Sequence, residues 1–543
     1  MERPAWLKWL QEQGLRSDSG DSPELIETHV SWVLLTADRA YKFKKPVDLG
    51  FLDFSEARRR RHFCLEELRG NQAFAPDLYL GLVMLQPTAD GYQLETLLAD
   101  EALARDDDSW PADMEPGVLM RRFPPDAELL ARLATLKSAD LQAFGVELAR
   151  IHQQQPAASA GAYGAPEQLL APMNENFKQL RAALGRQASA EELTRLDSLQ
   201  RWTASRYEAL KPLLEARYRD GWIRACHGDL HLGNLYWEDG AVRAFDCIEF
   251  DPALRWIDPI SDLAFLVMDC LHHKRKDLAF SLLDAYLAES GDYAGAGLLD
   301  FYLVYRAMVR AKVAALRLTQ SDDEAGRRLA RKAFNAHLHL AELWAMHKAP
   351  GLLMTCGYSG SGKSWLSKRL VGVLPGVRLC ADRERRRLFG MGPVESSGSG
   401  LNQGLYSASR TGKVYALLAE HAAALLRAGV HCIVDASFLD GTRRMAFIEL
   451  AHTCGTPWAI VYAQAPPDVL RQRIEARARA GEDPSEADLT VLEAQLARGH
   501  GLNLKYPLVC AVDTAQEMDR ERLHDVAAAV RMIWLTQSHT AGH

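Results

Sequence analysis

No stretch of this chain of 543 residues reaches the roughly eighteen consecutive apolar residues that a membrane-spanning helix needs, so no helical span is expected. Cysteine is sparse and scattered. The nine thiols are odd in number and form no CxxC pair, which argues against a zinc site or disulfide framework and for reduced, buried, cytoplasmic thiols. Positive charge is not in excess either: 64 Lys and Arg against 71 Asp and Glu give a net charge of -7, so no nucleic acid and no membrane surface is expected as a partner. The basic run Arg58-Arg59-Arg60-Arg61 lies in a helical stretch and reads as a solvated face. Internal repeats and low-complexity tracts are lacking. Residues Met1 to Leu15 have no continuous apolar segment and no small-residue cleavage site, and read as a short amphipathic helix.

What remains is ordinary globular composition, 48% apolar and 25% charged, in a chain too long for one core. At least two domains are expected. Ser31 to Lys44 predicts a hairpin about Thr36-Ala37-Asp38-Arg39, Ser55 to about Asn71 a helix, and Leu78 to Leu85 and Gly117 to Phe123 further strands of a small antiparallel sheet. The acidic segment Asp100 to Glu115 reads as a surface loop. Helical periodicity covers Leu129 to Leu214 and Ile260 to Trp344, and Ala349-Pro350-Gly351 marks a boundary. Beyond it, strand candidates at Leu352–Cys356, Val377–Cys380, Val430–Asp435, Trp458–Ala463 and Leu508–Val512 alternate with helices, predicting a doubly wound parallel sheet.

The most specific motif is Gly357-Tyr358-Ser359-Gly360-Ser361-Gly362-Lys363-Ser364, set directly after an apolar strand. Its glycines allow backbone N–H groups to surround phosphates, Lys363 adds charge, and Ser364 offers a hydroxyl to Mg²⁺. ATP and Mg²⁺ are therefore the expected cofactors. Asp382 and Asp435 end the second and third strand candidates, on the side of such a sheet that faces ligands. Asp435 suits a carboxylate holding Mg²⁺ through water, and Asp382 one that activates a substrate hydroxyl.

A second constellation lies upstream. His227-Gly228-Asp229-Leu230-His231-Leu232-Gly233-Asn234, with Asp246 in Phe245-Asp246-Cys247-Ile248-Glu249, supplies the acid, amide and second acid that phosphoryl transfer requires. These residues resemble the aminoglycoside phosphotransferase and choline kinase superfamily, relatives of protein kinases. The resemblance implies a catalytic base at Asp229, metal ligands at Asn234 and Asp246, and a supporting role for His227. It also implies a phosphate-contacting lysine paired with a helix glutamate. Helical phase favours Glu67 over Glu66, and Lys42 is the choice on the strand, with Lys44 on the same face as its competitor. No GxGxxG precedes Lys42, so a covering loop would come from Glu27 to Ser31. Asp262 matches an aspartate that braces the catalytic loop, His152 reads as a packed core histidine, and His337 and His339 read as surface.

The segment from Gly351 onward resembles small P-loop kinases of the gluconate kinase, zeta toxin and polynucleotide kinase kind. That resemblance implies lid arginines at Arg473 and Arg477, i and i+4 on one helix, against the plainer reading of a solvated face. Arg383, Arg387, Arg443 and Arg444 fall where the group places other contacts, unranked here.

Together the two resemblances match bifunctional aminoglycoside phosphotransferase/ATP-binding proteins. They imply an α+β protein-kinase-like bilobal domain at 1–348, with an N-lobe at about 1–123 and a helical C-lobe at about 124–348, followed by an α/β P-loop domain at 349–543. The expected activity is ATP-dependent phosphotransfer to a small-molecule hydroxyl by the first domain, and by the second as well. The alternative is a second domain that acts as a nucleotide-gated module without transfer of its own.

Overall fold

The structure, a computed structural model, describes the chain apart from residues 1–2, 16–20, 49, 51, 106–109, 111–113, 160, 162, 186–187, 322, 347–348, 392–406, 481–486, 500–501, 504–506 and 541–543. Contacts group the residues into two compact units, 1–140, 150–173 and 211–269 in the first, and 141–149, 174–210 and 270–543 in the second. No helix among the described residues is long and apolar enough to cross a membrane.

The first unit opens on an antiparallel sheet of six strands: β1 (Glu24–Glu27), β2 (Ser31–Leu35), β3 (Arg39–Lys44), β4 (Tyr79–Thr88), β5 (Gly91–Leu98) and β6 (Glu115–Arg121), in the order β1-β2-β3-β6-β4-β5. The turn joining β2 and β3 is closed by Thr36, whose hydroxyl accepts the Arg39 N–H and donates to the Arg39 carbonyl. Along β3 the two-residue period sends Phe43 to one face and Lys42 and Lys44 to the other. Phe43 packs with Leu7, Leu10, Trp32 and Leu34 beneath the N-terminal helix. Helix Ala57–Asn71 covers the lysine face, burying Cys64, Leu65 and Leu68 on Leu82, Met84 and Val118.

Two surface expectations fail in this unit. Arg60 and Arg61 are buried, because a helix with one inward face cannot keep four consecutive residues in water. Arg60 is held in place by a two-bond pairing to Glu115, both at 2.6 Å. The acidic segment begins as helix Ala99–Ala104 with Ala102 buried and Trp110 in the core, while 106–109 and 111–113 lie outside the described residues.

Behind the sheet, β7 (Arg224–Ala225) pairs with β10 (Trp256–Ile257), and β8 (Leu235–Glu238) forms a hairpin with β9 (Ala241–Ala244). The pair β7 and β10 flanks the segment from His227 to Glu249, and the β8–β9 hairpin lies within it.

In the second unit, helices Leu299–Gln320 and Glu324–Ala345 pack along one another, and Glu342 of the latter takes a two-bond contact from Arg195. His337 is buried and stacked on His272, ring centroids 3.9 Å apart, which corrects the surface assignment; His339 is exposed. Burial pushes the His337 imidazole down to about 2, so it packs as a neutral ring. Beyond them lie five parallel strands, β11 (Leu352–Cys356), β12 (Gly376–Cys380), β13 (His431–Asp435), β14 (Trp458–Gln464) and β15 (Val509–Asp513), ordered β12-β13-β11-β14-β15. The chain leaves β11 toward β12 and β13 and later crosses to β14 and β15. The switch point, where such sheets bind ligands, therefore falls at the carboxyl end of β11.

Candidate active sites

In the first unit, the loop from His227 to Asn234 is fastened from several sides. Asp262, fully buried, accepts the N–H groups of His227 (3.0 Å) and Gly228 (2.8 Å) and faces His152 Nε2 at 3.2 Å. Asp269 accepts the Leu232 N–H at 2.9 Å. Burial lowers the His227 pKa, so the neutral ring donates from Nε2 to the Phe245 carbonyl (2.9 Å) and its Nδ1 accepts the Asp229 N–H (3.4 Å). His227 thus joins the Asp229 loop to the strand end that delivers Asp246.

Asn234 donates from Nδ2 to the carbonyl (3.0 Å) and to Oδ2 (3.1 Å) of Asp229. Its amide oxygen remains as a donor atom for a cation. Asp246 sits at φ 63°, a left-handed conformation costly for a non-glycine residue, and is held there by its N–H to Tyr79 Oη at 3.0 Å. One oxygen of each residue, beside the Asp229 carboxylate, makes the hard all-oxygen set that suits Mg²⁺.

The lysine question resolves into a chain of ion pairs. Lys42 Nζ lies 2.6 Å from Asp246 Oδ1 and 2.8 Å from Glu67 Oε1, while Lys44 Nζ lies 2.7 Å from Glu67 Oε2 and also contacts Glu249 Oε1. Glu67 is fully buried between the two lysines. Burial alone would raise its pKa, but Lys42 and Lys44 pull it down to about 2. Burial likewise works against the charge on Lys42, which Asp246 and then Glu67 more than restore, leaving it well above the ordinary range. Asn71, one turn beyond Glu67, accepts the Cys247 N–H at 3.1 Å. Glu249, Tyr79, Asn71 and Asp269 escaped the sequence reading. For Glu249 a signal existed: an acid three residues after Asp246, in an otherwise apolar stretch.

In the second unit, Gly362 at φ 82° caps helix Lys363–Val373, whose first N–H groups face the phosphate loop. A Cβ at Gly360, φ 76°, would stand 2.7 Å from the Leu470 carbonyl. Lys363 Nζ donates to the Tyr358 carbonyl (2.8 Å), Ser359 N–H to Gln495 Oε1 (2.8 Å), and the buried Ser361 hydroxyl has no partner. Burial lowers the Lys363 pKa, opposed by Asp435 and Asp382, so both predicted carboxylates lie within electrostatic reach of this lysine.

Asp435, buried at the end of β13, receives Arg378 Nη2 at 2.6 Å and Nε at 3.1 Å on Oδ2. Asp382 stands in the first turn of helix Ala381–Leu388 with Arg385 Nε 3.9 Å away. Arg473 bonds Thr514 Oγ1 (3.0 Å), the Thr514 carbonyl (2.6 Å) and the Gly360 carbonyl (3.3 Å), whereas Arg477 reaches the Ala487 carbonyl and is near enough to Lys363 to oppose its charge. Arg383 lies 3.9 Å from Glu289, and Arg387 bonds the Ala288 and Glu289 carbonyls. Arg443 lies 3.7 Å from Asp440, and Arg444 donates to the Phe438 carbonyl at 2.7 Å.

A kinase-like domain followed by a P-loop kinase-like domain is the class that this fold and these sites define. A model of the phosphotransferase enzyme family matches residues 118–299, and a model of an AAA domain matches residues 352–502. Uncharacterized proteins of Mycobacterium tuberculosis and Mycobacterium bovis are 31% identical over 507 residues, covering 92% of this chain and 96% of theirs. The chain belongs to their family, in which a domain of the phosphotransferase enzyme family is followed by an AAA domain. Among solved structures, a choline/ethanolamine kinase family protein from Mesorhizobium loti is 12% identical over 62% of this chain and 97% of its own, with a TM-score of 0.36. A gluconokinase from Sinorhizobium meliloti is 19% identical over 36% of this chain and 99% of its own, with a TM-score of 0.26.

Proposed function

We propose that the chain is a two-headed ATP- and Mg²⁺-dependent phosphotransferase whose first head moves a γ-phosphoryl group to a small-molecule hydroxyl. The observation that carries this reading is the convergence of Asp229, Asn234, Asp246, Lys42 and Glu67 in one unit. Asp229 would orient the acceptor hydroxyl and take its proton, and Lys42, fixed by Glu67, would hold phosphate oxygens. Mg²⁺, held by Asn234 and Asp246, would neutralise charge on the phosphates. In the second head, Gly357 to Ser364 would cradle ATP, Ser364 and Asp435 would hold Mg²⁺, and Asp382 would serve as base with Arg477 near the transferred group. Replacing Asp229 with Ala should lower first-head turnover by on the order of 10² to 10⁴ while nucleotide binding persists.

One observation favours the alternative of a nucleotide-gated second head: Arg473 is committed to Thr514 and Gly360 rather than available to a substrate. The deciding experiment follows label from γ-labelled ATP into a fractionated bacterial metabolite extract, using the full chain, Asp229→Ala and Lys363→Ala. A product lost with Asp229→Ala supports the first-head assignment, and one lost with Lys363→Ala supports transfer by the second. Label in no metabolite, with ATP hydrolysis still dependent on Lys363, would favour the gated module.

A further inference from the structure

Among the described residues strand β12 is an edge of the parallel sheet, with no strand paired to one side of its backbone. Helix Lys276–Ser290, in the same compact unit, packs on β12 and on helix Lys363–Val373. From this helix the buried Asp284 accepts the Arg378 N–H on Oδ1 at 2.6 Å. The edge is therefore capped by a carboxylate where a strand would otherwise bind.

The capped residue is not arbitrary. Besides its two contacts to Asp435, Arg378 Nε donates to Ser367 Oγ (2.9 Å), and Ser367 donates to the Ser364 carbonyl (3.2 Å). A single guanidinium thus reaches Asp435 directly and Ser364 through one hydroxyl, the two residues assigned above to Mg²⁺. The same helix ends on a second polar contact: Arg387 bonds the Ala288 and Glu289 carbonyls from helix Ala381–Leu388, which carries Asp382. A partly buried guanidinium keeps its place only while its donors are satisfied, so its position depends on all its partners.

We infer that Asp284 is a positioning residue of the P-loop site, setting Asp435 and Ser364 through Arg378. This rests on the reading of Asp435 and Ser364 as the residues that hold the cation. Partners of metal-binding groups that do not touch the metal typically change metal affinity by about 10- to 100-fold when removed.

The test uses the full chain with Asp229→Ala, so that the ATP turnover abolished by adding Lys363→Ala belongs to the P-loop site. Adding Asp284→Ala should raise about tenfold or more both the Mg²⁺ concentration for half-maximal turnover and, without turnover, the Mg²⁺ concentration for half of the Lys363-dependent thermal stabilisation by a non-hydrolysable ATP analogue. Asp284→Asn, which keeps an oxygen to accept the Arg378 N–H, should stay within about twofold of the parent. Should Asp284→Ala fail to fold, Asp284→Leu preserves the side-chain volume and is read the same way. An unchanged Mg²⁺ requirement overturns the inference. So does an equal loss of turnover in the Ala and Asn variants at saturating Mg²⁺ without a shift in that requirement. If Lys363→Ala removes no turnover, the P-loop reading fails first and takes the inference with it.

Discussion

Glu67 is the residue on which the first site turns, because one of its oxygens answers the buried Lys44 and the other the partly buried Lys42. Glu67→Gln leaves two cations inadequately paired and should destabilise the first unit by about 3–5 kcal/mol at neutral pH. Because the folded pKa of about 2 lies below the ordinary 4.5, the stabilisation is complete above about pH 4.5 and declines as pH falls toward 2. The gap between native and variant unfolding transitions should therefore narrow in acid, which denaturant titrations at pH 7 and pH 3.5 would measure. Glu249→Gln removes a charge from Lys44 but leaves the Lys42 contacts to Glu67 and Asp246. It should lower the unfolding temperature while changing the ATP Michaelis constant by less than Lys42→Met does, and equal kinetic effects would refute this division of labour. Glu67 was legible because helical phase selects a face, whereas strand phase left Lys42 and Lys44 together, and the structure pairs both with it. Glu249 carried a signal that the reading passed over, whereas Arg378 carried none, since its meaning depends on Asp284 and Asp435, distant in sequence.

Elements were read best where a buried apolar run marked them and worst where burial was slight or the strand only two residues long. All five strands of the parallel sheet were found to within about two residues, while β1, β5 and the two-residue pair β7 and β10 were missed. A four-residue strand such as Glu24–Glu27, largely exposed, offers almost no alternation of burial to detect. The loop between β7 and β8 owes its shape to Gly228, at φ 86°, where a Cβ would stand 2.8 Å from the Leu254 carbonyl. Gly228→Ala should therefore cost about 1–3 kcal/mol in strain and displace the Asp229 backbone. First-head turnover should fall while P-loop turnover, measured in the same preparation, is preserved.

For the whole molecule, the two candidate nucleotide sites lie in different compact units, so each should report its own ligand. A site saturated at a hundred times its dissociation constant stabilises its unit by about 2.7 kcal/mol. Mg·ATP should raise the unfolding temperatures of the native chain, and Lys363→Ala should erase the increment belonging to the second unit alone, as calorimetry would resolve. Fold class was legible because phosphate loops and catalytic loops have short, ordered signatures. The second unit's composition was not, because helix Lys276–Ser290 and β12 are joined by tertiary contacts rather than by any local pattern. That capped edge bears on how the protein can be divided. A fragment beginning at residue 350 would lack Asp284 and present unpaired backbone along β12, the kind of surface that recruits another strand. Such a fragment should self-associate as its concentration rises, so its light-scattering mass would be the first property to diverge from that of the full chain.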